Sequence, residues 1–484
     1  MSSVDAQEAA PKATSSFFPK QPPANGAAAT DGEAESTSSF GVGKPESERP
    51  RERFIPVTRF ALLDRLTAPS AWPSGQSRDA RRFFRYLDHW RRQQYSAKLN
   101  ELEETYEPFS PDSDLLMTRK FTPAERKLMQ KRVLDGMAQI LEQANYINID
   151  PSDVELILTR DSAYNLDLHV DLDAFEELLL FYRGASTKRE QRRRWHKFFL
   201  KEEFEIPIFQ RLFVLFKLKP FETRVREVMQ AKKLSRKEAE RAIKRTRSGL
   251  PPEVHQDNIY MKLFKNIPRS DLEMIFPNTK VHFRLFDKLR LGATAGGGLG
   301  IGAFGAAGKI ALLVSNPIAA AGALFGLGGI AIRQAFAFMN QKQRYMVVMA
   351  QNLYFHAMAD NRGVMLKLAA RAAEEDFKEE MLLYSVLAKE PARRQDLPEI
   401  DVAIEQYLST SFGVSVDFDI PDALERLIAD GLVTERSDGT LYTLSPRDAA
   451  LHIDRKWDAF LDELPEPASA EGLEFEGSPT ETSV

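Results

Sequence analysis

Residues 291–332 read LGATAGGGLGIGAFGAAGKIALLVSNPIAAAGALFGLGGIAI, and this stretch decides the fold read from the sequence. It holds 12 of the chain's 26 glycines and a single charge, Lys309. A helix rises about 1.5 Å per residue and a hydrocarbon core is about 30 Å thick, so the stretch is long enough for two passes. Ser315-Asn316-Pro317 marks a turn near its middle. The expectation is a two-helix Gly-rich transmembrane hairpin over 291–337. Lys280, Arg284, Lys288 and Arg290 precede it, and Arg333, Lys342 and Arg344 follow. Positive charge on both outer flanks places both termini in the cytoplasm, on an inner or cytoplasmic membrane. Gly292, Gly296 and Gly300 recur every four residues, as do Gly322 and Gly326. Such rows let helix backbones approach closely in lipid, so these glycines are the candidate packing residues for self-association. The competing reading is a buried Gly/Ala hairpin in a soluble protein.

Outside this stretch the charge is uneven. The 484 residues carry 66 Lys plus Arg and 70 Asp plus Glu, a net charge of -4. Residues 1–50 hold 7 acidic and 4 basic side chains, and residues 462–484 hold 7 acidic and none basic. The body between them is therefore basic. Both ends lack apolar periodicity, which reads as disorder over 1–52 and a disordered acidic tail over 462–484. No apolar stretch of signal-peptide length opens the chain, so no signal peptide is expected. The absence of cysteine excludes disulfides, Cys-ligated metal and thiol nucleophiles.

The folded body reads as α+β: a mixed α/β domain over 53–290, the hairpin, a connector of long helices over 338–394, and a winged-helix-like domain over 395–461. Helices are predicted over Arg78–Leu99 and from a capping box at Thr122-Pro123-Ala124-Glu125 to about Gln143, with Leu128, Val133, Met137 and Leu141 on the apolar side. Strand patterns occupy Phe175–Arg183, Arg211–Lys219, Ile259–Leu263 and Val281–Leu285. Helices follow over Ala335–Ala359 and Val364–Lys389, with a break at Gly363. Glu399–Leu408 and Pro421–Asp430 read as helices, with Gly431 as a C-cap and a hairpin across Ser437-Asp438-Gly439.

Three clusters invite chemistry. Residues 188–247 carry 20 basic and 8 acidic side chains. Within them Lys232, Lys233, Arg236 and Lys237 are candidate contacts for anionic lipid or another partner, with Ser235 and Glu238 capping a helix. Glu374, Glu375, Asp376, Glu379 and Glu380 gather near Lys378, which reads as a solvated acidic face because no Glu-x-x-His pair accompanies them. The helix at 421–430 carries Asp422, Glu425 and Asp430 against Arg426 alone. Phosphate would be repelled there, so nucleic acid is not an expected partner and a protein partner at the winged-helix-like domain is. The seven histidines are scattered, and no nucleophile elbow or P-loop is present. No catalytic, cofactor-binding or metal residue is assigned, and no cofactor is expected.

One block is more specific. Ile259-Tyr260-Met261-Lys262-Leu263-Phe264-Lys265-Asn266-Ile267-Pro268-Arg269-Ser270-Asp271-Leu272-Glu273-Met274 leads through Pro277 into the hairpin. It resembles the signature of the transmembrane protein 143 family. Phe54-Ile55-Pro56-Val57, Asn352-Leu353-Tyr354, Glu375–Tyr384 and Val416–Leu432 resemble further pieces, and the resemblance covers roughly residues 54–461. It implies a membrane protein with a two-helix segment and no established activity, so no catalytic residue carries over. Lys262, Lys265 and Arg269 are the block's candidate contacts for headgroups or a partner. The expected function is a non-enzymatic scaffold or interaction protein anchored in the bilayer and self-associating. A channel formed by the hairpin and an undetected membrane-associated enzyme are the alternatives.

Overall fold

The computed structural model describes residues 51–114, 120–150, 166–193, 201–283 and 355–463, apart from positions 74, 249, 270, 271, 273, 274, 278 and 279. The N-terminal elements are helices α1 (Arg59–Leu66), α2 (Gln76–Tyr106) and α3 (Pro123–Gln143). Strands β1 (Ile147–Asn148), β2 (Leu166–His169), β3 (Phe175–Arg193) and β4 (Lys201–Leu218) come next. Helices α4 (Phe221–Lys232) and α5 (Arg236–Arg247) precede strands β5 (Ile259–Pro268), β6 (Lys280–Phe283) and β7 (Ala357–Asp360). The C-terminal elements are α6 (Asn361–Leu387), β8 (Ala392–Arg393), α7 (Leu397–Phe412), α8 (Ile420–Ala429), β9 (Val433–Glu435), β10 (Thr440–Thr443) and α9 (Pro446–Glu463).

The chain folds into two compact units. Among the described residues, one unit is drawn from 51–147, 183–185 and 362–463, and the other from 148–182 and 186–361. In the second unit the main sheet runs β1-β3-β4-β5-β7, and β2 pairs with β6 in a separate two-stranded ladder. β4 and β5 are antiparallel, with Phe213 opposite Leu263 and Leu215 opposite Met261. Alternation in β4 predicts one apolar and one mixed face, yet Leu212 through Phe216 and Leu218 are all buried, so the strand is covered on both sides. α4 and α5 form a helical hairpin with its own small core of Val225, Val228, Ala239 and Ile243.

The first unit is built on α2 and α6. On α2, Ala80, Phe83, Phe84, Leu87, Trp90, Arg91, Tyr95, Leu99, Leu102 and Tyr106 are buried, each three or four residues from another, the stripe of a helix buried along one side. Tyr384 of α6 packs its ring 4.4 Å from Phe83 and 5.7 Å from Phe84, and its hydroxyl donates to the Leu444 carbonyl at 2.8 Å. One continuous apolar core runs from Ile55 and Leu62 through Phe83 and Leu383 to Leu424, Leu441 and Ile453. The elements α6, β8, α7, α8, β9 and β10 follow the order helix, strand, helix, helix, strand, strand, with sheet order β8-β10-β9. This is the element order of a winged helix, and its hydrophobic core is shared with α1 and α2.

Several expectations are corrected. The transmembrane hairpin, and with it the membrane part of the fold class, is not supported: no helix among the described residues is long and apolar enough to cross a membrane. The long helices that are described, α2 and α6, carry charge throughout, which is costly in hydrocarbon. Residues 291–337, like 1–50 and 464–484, lie outside the described residues. The helix expected over Ala335–Ala359 does not reach its end, because Ala357–Asp360 pairs with β5 as an edge strand. The break expected at Gly363 falls at Asn361, whose φ of 43° turns the chain and whose Oδ1 accepts from the Met261 amide at 3.0 Å. Leu128, expected on the apolar side of α3, is exposed. The strand expected over Phe175–Arg183 runs on past Gly184 to Arg193. The α3 capping box forms as expected, with Glu125 N–H on Thr122 Oγ1 and Thr122 N–H on Glu125 Oε2.

Candidate functional site

Asp376, Glu379 and Glu380 lie at i, i+3 and i+4 on α6, so one helix face carries three carboxylates. The sequence reads this face as solvated, and the structure corrects that reading: Asp376, Glu379 and Glu380 are at most 3% exposed. Buried carboxylates must be paired or neutral. The partner is Arg426 on α8. Its Nη2 lies 2.6 Å from Glu379 Oε2, its Nε 2.9 Å from Glu380 Oε1 and its Nη1 3.3 Å from Asp376 Oδ1. Nη1 also contacts Asp422, one turn back on α8. The guanidinium fork thus serves four carboxylates at once, a geometry that a lysine's point charge cannot reproduce.

A second arginine extends the network. Arg91 on α2 donates through Nε to Glu380 Oε2 at 2.9 Å and through Nη2 to Asp430 Oδ2. Asp430 Oδ1 also accepts from Lys456 Nζ of α9 at 2.7 Å and from Trp90 Nε1 at 3.2 Å. His452 Nε2 lies 2.7 Å from the Asp430 carbonyl oxygen. Tyr95 donates to Asp376 Oδ2 at 2.8 Å, and Asn145 Nδ2 donates to Glu379 Oε1 at 2.8 Å. Asp376 Oδ1 receives no hydrogen bond of good geometry and has only the 3.3 Å ion pair, the weakest link of the set.

On the adjoining face of α6, Glu375 and Lys378 anchor the chain's first described segment. Glu375 Oε2 accepts from the Ile55 amide at 3.1 Å, while Lys378 Nζ donates to the Ile55 carbonyl at 2.6 Å and to Glu375 Oε1 at 2.9 Å. Arg183 Nη2 lies 3.3 Å from Glu375 Oε1. Three of the pieces that carry the resemblance, 54–57, 375–384 and 416–432, therefore converge on one cluster.

Electrostatics follow from burial against pairing. Burial pushes Glu379 up to about 8, with Arg426 opposing it. Burial likewise raises Asp376 and Glu380 above the ordinary carboxylate range, against Arg426 and Arg91. For Asp430 burial is the largest influence and acts upward, yet Arg91, Lys456 and Trp90 together hold it below its ordinary value. Burial lowers Lys378, with Glu375 opposing. Five carboxyl groups (Asp376, Glu379, Glu380, Asp422, Asp430) face three cations (Arg91, Arg426, Lys456). Near neutral pH the proton held by Glu379 brings the two sides closer to balance.

A cavity of about 320 Å³ opens on the network, with Arg91, Tyr95, Asp376 and Arg426 exposing atoms to it beside Lys98 and Phe460. Asp376, Glu379 and Asp422 bring carboxylate oxygens within 4.8 Å of one another, a spacing that could hold a metal. The guanidinium of Arg426 already contacts all three, so the position a cation would need is filled by a permanent one.

Sequence reasoning missed Arg91 and Tyr95. The signal for them exists: both fall on the apolar stripe of α2, where a charge or phenol needs a buried partner. The residues expected as contacts lie elsewhere, in the second unit. Lys232 and Lys233 close α4, Lys233 with φ 51° as its cap, and both are exposed. Lys237 is exposed on α5, whereas Arg236 is held by Glu222 at 3.1 Å and Glu240 at 2.8 Å. Lys262 pairs with Asp360 at 3.1 Å, the Lys265 carbonyl lies 2.7 Å from His356 Nδ1, and Arg269 stacks 5.7 Å from the Phe209 ring centre. The structure thus brings Lys232, Lys233, Arg236 and Lys237 together on one helical hairpin and leaves the other three along β5 and its end. The glycines expected to pack in lipid, Gly292, Gly296, Gly300, Gly322 and Gly326, lie outside the described residues.

Residues 175–363 match a family described as a protein of unknown function (DUF3754). No solved structure matches the chain.

Proposed function

We propose that the chain is a non-enzymatic scaffold or interaction protein whose winged-helix-like module is a fixed part of the helical body. The observation that supports this most is the saturation of Arg426 by Asp376, Glu379, Glu380 and Asp422. A catalytic constellation keeps a position open for substrate or metal, and here the acidic groups spend their charge on one another's counter-ions. The same arrangement argues against nucleic acid: the only basic residue of α8 is turned inward, and the charges left toward solvent are exposed Glu425 and half-exposed Asp422. Exposed Tyr442 on β10 and Trp457 and Leu461 on α9 supply the apolar side chains a protein partner would grip. Kinship with the transmembrane protein 143 family belongs to the same proposal, and the block at 259–274 that suggests it lies inside the matched segment.

Purified full-length protein and its Glu379→Gln variant, incubated with a cell's small-molecule extract, test the reading. Identical metabolite profiles, together with crosslinking to a defined partner in native extract, are expected. Turnover present in the wild type and lost in a folded Glu379→Gln protein would overturn it.

A further inference from the structure

The α4–α5 hairpin presents charge of one sign along one ridge. At about 100° per residue, Lys244, Lys237, Arg241 and Arg245 fall within roughly a 100° arc of α5. All four are exposed, and the buried residues Ala239 and Ile243 occupy the opposite side of the helix against Val225 and Val228. None of the four makes an ion pair among the described residues, in contrast to Arg236, which Glu222 and Glu240 hold. Lys232 and Lys233 are exposed at the end of α4, before the turn into α5. Glu240 sits four residues before Lys244 and Glu238 three before Arg241, yet Glu240 is held by Arg236 and Glu238 by the Ser235 cap, so neither closes an ion pair with the arc.

We propose that this ridge docks onto an anionic lipid surface. The choice between lipid and nucleic acid rests on the acids beside the arc. Glu240 borders one edge and Glu238 the other, both by the same helical geometry. A nucleic-acid groove closes phosphate walls on both flanks of an inserted helix and would meet these carboxylates. A flat bilayer touches only the crest. The exposed part of the arc also holds no aromatic ring or side-chain amide with which to stack on or read a base. Because the apolar side of α5 is packed against α4, the contact is adsorption by charge, without insertion of the helix. This inference concerns the second unit and stands whether or not the scaffold reading of the first holds.

The test is sedimentation of the full-length protein with vesicles of phosphatidylcholine alone and with 30% phosphatidylserine, the readout being the difference between the two. A variant with Lys237, Arg241, Lys244 and Arg245 changed to Glu should lose about tenfold or more of the serine-dependent affinity. A second variant carrying Gln at the four positions, with unchanged circular dichroism, should fall between it and the wild type. The serine-dependent binding should also collapse as salt rises from about 50 to 300 mM. Equal serine-dependent binding by wild type and both variants, or tighter binding of the ridge to duplex DNA or RNA than to vesicles, would overturn the proposal.

Discussion

Arg426 Nη2 lies 2.6 Å from Glu379 Oε2, and this contact joins α8 to the long helix α6, the first element of the winged-helix order. The same guanidinium reaches Asp376 and Glu380, and Arg91 continues the chain of charges from Glu380 to Asp430. A buried network of this kind is costly to assemble and costlier to break, because removing one partner strands the others without water.

Replacing Arg426 by Met leaves buried Asp376 and Glu379 without their counter-ion and Glu380 with Arg91 alone. The expected loss is about 3–5 kcal/mol of unfolding free energy, read by urea denaturation of the full-length protein. Arg426→Lys should lose less than Arg426→Met, since the charge is retained, but should not match the wild type, since one ammonium cannot span Asp376, Glu379 and Glu380 together. Equal stability of Lys and Arg at this position would show that the fork geometry is irrelevant.

The raised carboxyl groups set a pH dependence with a definite sign. Glu379 titrates at about 8 in the fold against 4.5 in a free chain, and Asp376 and Glu380 move the same way. Between those values the folded state holds more protons than the unfolded one, so stability falls as pH rises from about 5 to about 9. Asp430 is shifted the other way, and its contribution is lost only in acid, as pH falls through its lowered value. Glu379→Gln mimics the protonated form and should flatten the melting-temperature profile between pH 5 and 9. A wild-type profile that instead rises across this window would refute the assignment.

Gly431 adopts φ 73°, and a Cβ there would come within 3.1 Å of His452 Nε2. Gly431→Ala should therefore cost about 1–2 kcal/mol from left-handed backbone strain alone, with more if His452 is pushed off the Asp430 carbonyl. Thermal unfolding measures the total, and faster amide exchange in α9 would report the displaced imidazole.

Divalent metal should not bind the acidic cluster. Titration with Mg²⁺, Mn²⁺ or Zn²⁺ is expected to leave the melting temperature of the wild type unchanged, since Arg426 occupies the space between Asp376, Glu379 and Asp422. A saturable rise in melting temperature, abolished by Asp376→Asn, would identify a metal centre instead.

What the sequence reveals here is local. Thr122 and Glu125, or Ser235 and Glu238, cap their helices through side chains three residues apart, and such pairs are visible in the string. The φ of Gly431 is demanded by the helix end that it closes. The strand periods of β4 and β5 are equally short-range. The cluster on α6 is not local: Arg426 lies 46 residues from Glu380, and Arg91 lies 289 residues from it. A run of Glu and Asp near one Lys has the composition of a wet helix face, and only the placement of two distant arginines turns it inward. The same limit hid the strand at 357–360, whose edge pairing with β5 overrode a helical pattern. The Gly-rich stretch illustrates the opposite hazard, in which composition and length alone suggested a span that no described helix supports.

A double-mutant cycle tests whether Arg426 is the internal counter-ion that ties α8 to α6. Unfolding free energies are measured for the wild type, Arg426→Met, Glu380→Gln and the double variant at one pH. A coupling of about 2 kcal/mol or more is predicted, because Glu380→Gln should relieve part of the penalty that Arg426→Met creates. Additivity to within about 0.5 kcal/mol would mean that the two residues do not share a network, and would contradict the account.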